Sequence, residues 1–255
     1  MEILLMNKKF LLQDIKRSLT GWGFWLGFGG LCALFLYNMV TQSALNHTQD
    51  SYFIIVNAVA ASGFTVFLPL FPVLAYSSDF CEEYESGYYR MILARMSVRG
   101  YAQARIISVA LSGGAAVGLP VMLKCIGAGC FGITDVSAVD MLRVEADMEM
   151  VLISQEYGFG VVVVLKTMLG FLFGAVWAIV GLAFAVWFVN KYVSLIAPFV
   201  WYETMNIFLP KILKPAMSVR GDDIGHILSI AMELLGLAAT VAAVAAGFKR
   251  RCHDE

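Results

Sequence analysis

Two carboxylates in this 255-residue chain fall inside long apolar runs, where a charge is costly. Glu203 lies in the run Tyr192–Leu209, and Glu233 lies in the run Ile224–Phe248. At about 1.5 Å per helical residue, Glu203 is roughly 17 Å from the inner start of its run. Glu233 is roughly 14 Å from the outer start of its own by the same rise. The two helices run in opposite directions, so both carboxylates reach similar depths in a core about 30 Å thick. Such a pair can share a proton or line a path for a cationic substrate. The alternative is that Glu203 belongs to a water-exposed re-entrant segment, with Pro198, Pro210 and Pro215 breaking the helix. Lys124 and Lys166 fall near the outer ends of their runs, where an ammonium can snorkel to the headgroups.

Other site chemistry is missing from the sequence. Cys32, Cys81, Cys125, Cys130 and Cys252 are scattered and form no CxxC, while His47, His226 and His253 are too far apart for zinc-ligand spacing. They read as free thiols packed as small apolar residues. No lysine follows a glycine, so the phosphate-cradling GxxxxGK[ST] loop is absent and the chain has no ATPase motif. Leu111-Ser112-Gly113-Gly114 imitates the start of an ATPase signature, but Ala115 follows it within an apolar run; close helix packing accounts for it better. The patterns HExxH and GxSG do not occur, and Glu82-Glu83 lacks the arginine of the intramembrane EExxxR protease pattern. A net charge of −1 offers no basic face for nucleic acid.

The elements that would position these residues follow from composition. Sixty percent of the residues are apolar and 15% charged, against about 25% charged in a soluble domain. The reading is an all-α membrane protein, a single transmembrane domain over 1–255. Six spans are expected at about 22–40, 53–76, 106–133, 161–189, 192–209 and 224–248. The run Trp22–Val40 is too long for the apolar part of a cleaved signal peptide. Residues 1–21 are expected to form an interfacial amphipathic helix, with Leu4, Leu11, Ile15 and Leu19 on one stripe among Lys8, Lys9, Lys16 and Arg17. An acidic external loop, 134–160, carries six acids against Arg143 and is expected to hold a short surface helix. Twelve Lys and Arg fall in the N-terminal segment, the 77–105 loop, the 190–191 turn and the C-terminal tail, against four in the opposite loops. That asymmetry puts both termini in the cytoplasm. Small-residue pairs, Gly23/Gly27, Gly170/Gly174 and Ala238/Ala242/Ala246, suit helix packing within the chain or across a dimer.

The cytoplasmic loop 77–105 is the most informative segment. It opens acidic with Asp79, Glu82, Glu83 and Glu85, carries Gly87, and then sets Met91-Ile92-Leu93 between arginines. Ser97 is placed to cap a helix that continues into the third span. The pattern Phe80-x-x-Glu83-x-Glu85-x-Gly87-x-x-Arg90, then Ile92-Leu93, then Ser97-x-Arg99-x-Tyr101, resembles the first cytoplasmic loop of ABC-2-type transporter permeases. The layout is similar too: an interfacial helix, six spans, this loop between spans two and three, and a proline-bearing segment after span five. Met96 stands where many members have proline.

The resemblance implies that 77–105 holds a cytoplasmic coupling helix, with Glu83, Glu85, Gly87, Arg90 and Arg99 in the region that meets an ATP-binding cassette subunit. It implies a second permease copy or paralogue, ATP and Mg on the partner subunit with no cofactor in this chain, and a bacterial cytoplasmic membrane. The expected role is export of a drug, antimicrobial peptide or lipid-like substrate. Three rivals stay open: an ion-coupled secondary transporter using Glu203 and Glu233, a membrane-embedded enzyme, and a scaffold or immunity protein without transport.

Overall fold

Apolar runs with few polar side chains satisfy their backbone N–H and C=O groups internally, and a helix does this within one segment. The computed structural model describes residues 2–46, 67–131, 148–209 and 226–254. In order, these contain α1 (Glu2–Thr20), α2 (Trp22–Asn46), α3 (Leu70–Tyr76), α4 (Asp79–Glu85), α5 (Tyr88–Leu93), α6 (Val98–Phe131), α7 (Met148–Tyr157), α8 (Phe159–Phe188), α9 (Lys191–Phe208) and α10 (His226–Asp254). No strand occurs among the described residues.

Among the described residues, three helices are long and apolar enough to cross a membrane: α6 over Val98–Cys130, α8, and α10 over Leu228–Arg251. A fourth is counted if α1 and α2, bent by 46° at Gly21, form one broken span. Helix α9 has 18 residues but is not among them, since Glu203, Thr204 and Asn206 dilute its apolar character. The expected span 53–76 falls mostly outside the described residues. In its described end, residues 67–69 form a turn and α3 begins at Leu70, after Pro69. Pro198, by contrast, lies inside α9 without ending it; Pro210 and Pro215 lie outside the described residues. The acidic loop 134–160 is described only from Met148, where α7 provides the short helix expected there.

Helix α8 is the centre of the bundle. Its apolar window is 78% buried inside the protein, against 50% for α6 and 17% for α10, so α10 packs at the edge. The α6–α8 crossing depends on missing side chains. A Cβ on Gly174 would sit 2.3 Å from the Gly113 carbonyl oxygen, and one on Gly113 would sit 2.2 Å from the Ala178 Cβ. Helix α2 lies on α3 in the same way: a Cβ on Gly23 or Gly27 would meet the Leu74 or Phe71 carbonyl oxygen at 2.3 or 2.5 Å. These glycines therefore serve packing within the chain. Ala238, Ala242 and Ala246 are exposed on α10.

Short joints gather the basic ends of the helices. Ser97 caps α6 by accepting a hydrogen bond from the Gly100 N–H at 3.2 Å, as its sequence position suggested. Capping there starts α6 eight residues before the expected span, and its 34 residues extend roughly 50 Å at about 1.5 Å per residue. Its first turns therefore project beyond a bilayer core of about 30 Å. Val189 ends α8 with φ +48°, and Asn190 caps α9 by accepting from the N–H groups of Tyr192 and Val193 at 2.9 and 3.3 Å.

Candidate functional site

At this basic end lies a buried hub of charge. Asp14 and Arg17 on α1, Tyr76 on α3, Asp79 and Glu83 on α4, and Tyr101 and Arg105 on α6 converge there. Their spacing along each helix, three or four residues, keeps them on facing sides. Arg105 is 0% exposed. Its Nη1 donates to Asp14 Oδ1 at 3.0 Å, to the Tyr76 hydroxyl at 2.7 Å and to Glu83 Oε1 at 3.4 Å. Its guanidinium also lies 4.3 Å from the Tyr76 ring centroid. The Tyr76 hydroxyl donates to Asp14 Oδ1 at 2.5 Å, and the Tyr101 hydroxyl donates to Glu83 Oε2 at 2.8 Å. Arg17 closes the network from the solvent side, donating to Glu83 Oε1 at 2.6 Å and approaching Asp79 at 3.7 Å.

A buried charge is tolerated when paired and hydrogen-bonded. Here two carboxylates, Asp14 and Glu83, hold one fully buried guanidinium. Further ties fix the loop's edges. Lys191 pairs with Glu82; Arg251 donates to the carbonyls of Val186 and Trp187 and stacks 5.1 Å from the Tyr84 ring centroid. Beneath the charges, edge-to-face rings join α4, α5, α6 and α10: Phe80–Tyr89 at 5.7 Å, Phe80–Phe248 at 5.3 Å, Tyr89–Tyr101 at 5.4 Å and Tyr101–Phe248 at 5.8 Å. Asp79 beside Arg17 is pushed up to about 6, with burial outweighing the attraction of Arg105 and Arg17.

The expected coupling residues do not form one surface. Glu83 is buried in the hub. Gly87 supplies the left-handed joint between α4 and α5, φ +74°. Glu85, Gly87 and Arg90 border a cavity of about 250 Å³. Arg99 lies apart from them, on a separate groove beside Lys249. Of Met91-Ile92-Leu93, only Met91 points outward, 61% exposed; Ile92 is buried and Leu93 half-buried, because α5 turns that side inward. The outward face of the loop is Tyr88, Arg90, Met91, Ala94 and Arg95.

Two sequence expectations are corrected here, and one is refined. Arg105, counted among the basic residues of the 77–105 loop, is fully buried, because the long α6 carries it between α1, α3 and α4. The face of α1 turned to the bundle centres on buried Asp14 and Ser18, while Leu11, Ile15 and Leu19 are only half-buried; the side chain of Leu4 lies outside the described residues. Lys124 and Lys166 do not snorkel. They are 5% and 7% exposed, and the Lys124 ammonium sits 5.2 Å from the Phe35 ring centroid, turned inward where α2 packs against α6.

Glu203 and Glu233 lie on two helices that share a neighbour: α9 and α10 both pack against α8. Tyr202 is buried edge-on against Trp177 at 5.1 Å and Phe173 at 6.1 Å. Glu233 is buried at 6% exposure, and Glu203 is partly exposed. The sequence signal for the hub is helical spacing, Asp79-Glu83 and Tyr101-Arg105.

No family model matches the chain, and neither a curated protein nor a solved structure does, so the functional reading rests on the geometry and on the loop's resemblance.

Proposed function

We propose that this protein is the membrane-spanning permease subunit of an ATP-driven transporter of the ABC-2 type. It has six spans and cytoplasmic termini in a bacterial cytoplasmic membrane, and it works as a dimer with a second copy or a paralogue. ATP and Mg belong to a separate cassette subunit. The carrying observation is the clamped loop: the Arg105 hub ties α4 to α1, α3 and α6, while α5 presents Tyr88, Arg90, Met91 and Arg95 outward. A loop fixed rigidly to three other helices and exposed on its far side can pass a push from a soluble partner to the spans. Export of a drug, antimicrobial peptide or lipid-like substrate follows from the resemblance alone.

The test is a gentle detergent pull-down of the tagged chain from its native membrane, with mass spectrometry of what accompanies it. A stoichiometric soluble partner bearing a phosphate loop is expected, and it should be lost with Met91→Asp, an exposed position whose change leaves the hub intact. Recovery of the chain alone, or only with itself, overturns the reading.

A second reading is favoured by one observation, a carboxylate buried within an apolar helix: Glu233 on α10 is 6% exposed, and α10 packs against α8 as does α9, which carries Glu203. As an ion-coupled carrier the chain would need no ATPase and would respond to a pH gradient. Glu233→Gln would then abolish uptake or efflux driven by that gradient, while Met91→Asp would leave it unchanged.

A further inference from the structure

Between the first turns of α6 and the last turns of α10 lies an open groove of about 700 Å³. That volume falls within the roughly 300–1,000 Å³ of small-ligand sites. Its walls are apolar and mostly short, with Ala102, Ile106, Val241 and Ala245 among them. Arg99 and Lys249 stand on its lining, both exposed and without an ion pair among the described residues. The groove's lining carries no acid, and on the loop before α6 Glu82 holds Lys191 while Glu83 holds Arg17 and Arg105. Two uncompensated cations therefore border an apolar trough, at the level where α6 and α10 leave the membrane core.

We propose that this groove binds an anionic phospholipid, its headgroup phosphate on Arg99 and Lys249 and one acyl chain against Ala102, Ile106, Val241 and Ala245. Basic pockets between membrane helices recognise anionic headgroups in this way. Free phosphate would leave the apolar walls wet, and a zwitterionic lipid would offset the two cations less. A second copy of the chain packed here would bury Arg99 and Lys249 without supplying an acid from this face. The inference depends on α6 and α10 being membrane helices and not on an ATP-driven mechanism, so it survives failure of the pull-down above.

The test uses the full chain in nanodiscs of equimolar phosphatidylglycerol and phosphatidylcholine, extracted in mild detergent, with retained lipid counted by native mass spectrometry. Wild type should retain phosphatidylglycerol several-fold over phosphatidylcholine, at about one per chain. Arg99→Gln with Lys249→Gln should remove that preference, and both positions are exposed, so folding should persist. Ala245→Trp, also at an exposed position, should expel the lipid with both charges intact. Arg90→Gln, a basic change away from the groove, should retain lipid like wild type. Equal retention by wild type and all variants overturns the proposal. So does an Ala245→Trp chain that keeps its lipid but loses a dimer, because the groove would then be a seam between copies.

Discussion

Arg105 gathers the loop's charges, and the effect of removing it depends on what remains. With Arg105→Gln, Asp14 loses its only cationic partner within salt-bridge distance among the described residues, while Glu83 keeps Arg17. Breaking a buried pair from one side costs about 3–5 kcal/mol. The melting temperature in detergent should fall sharply, and adding Asp14→Asn to Arg105→Gln should restore part of the loss by removing the stranded charge. A double variant no more stable than the single one would count against the hub. Asp79 makes a separate pH prediction. Its folded pKa, about 6, lies above its usual 3.8, so the folded state holds the proton more tightly than the unfolded chain does. Its ionisation therefore costs stability as pH rises from about 4 through 6, on the order of 3 kcal/mol at neutral pH. Asp79→Asn should stabilise the protein at pH 7.5 and do so by only about a third as much at pH 4.5. Melts of both chains at the two pH values check the sign, and a variant less stable at pH 7.5 would show that the 3.7 Å contact with Arg17 outweighs desolvation.

At the scale of elements, two glycines have opposite jobs. Gly87 is needed for its backbone: φ is +74°, and an added Cβ meets nothing within 4 Å. Gly87→Ala should therefore cost only the left-handed conformation, roughly 1 kcal/mol. Gly174 is needed for space, since a Cβ there would lie 2.3 Å from the Gly113 carbonyl oxygen. Gly174→Ala forces α6 and α8 apart, and overpacking of this kind costs roughly 1–3 kcal/mol, more where backbone must move. Gly174→Ala should thus lower the melting temperature more than Gly87→Ala, and the reverse order would contradict the close crossing. Helices α6, α8 and α10 were legible as apolar runs to within a turn or so at most ends, because lipid demands length and apolarity and little else. The start of α6 at Val98 was less so, since a polar cap sets it and hydropathy does not. The hub is not legible for a related reason: each of its residues looks like an ordinary loop or surface polar group until four helices bring them together. Spacing alone gave Tyr101 and Arg105 a common face, but could not show that Asp14, ninety-one residues from Arg105, would fill it.

At the scale of the whole molecule, nearly every basic side chain outside the apolar helices that the structure describes lies at one end. Arg17, Lys191 and Arg251 are tied there to α4, to the end of α8, or to both, with Arg105 buried among them. In the proposed orientation this end faces the cytoplasm, as the positive-inside rule expects. Helix α7 precedes α8 at its opposite, Phe159 end, and in that orientation lies on the outer side. This gives two exposed reporter positions, Ser86 between α4 and α5 and Gln155 on α7. In a chain with Cys130 and Cys252 replaced by serine, a membrane-impermeant maleimide should label Gln155→Cys in intact cells. It should label Ser86→Cys only after the membrane is permeabilised. The opposite pattern would put the loop outside the cell, away from any ATP-bearing partner, and the transporter reading would fall with it. Labelling of both positions in intact cells would mean that α8 does not separate its two ends across a bilayer, although its apolar window is long enough to do so.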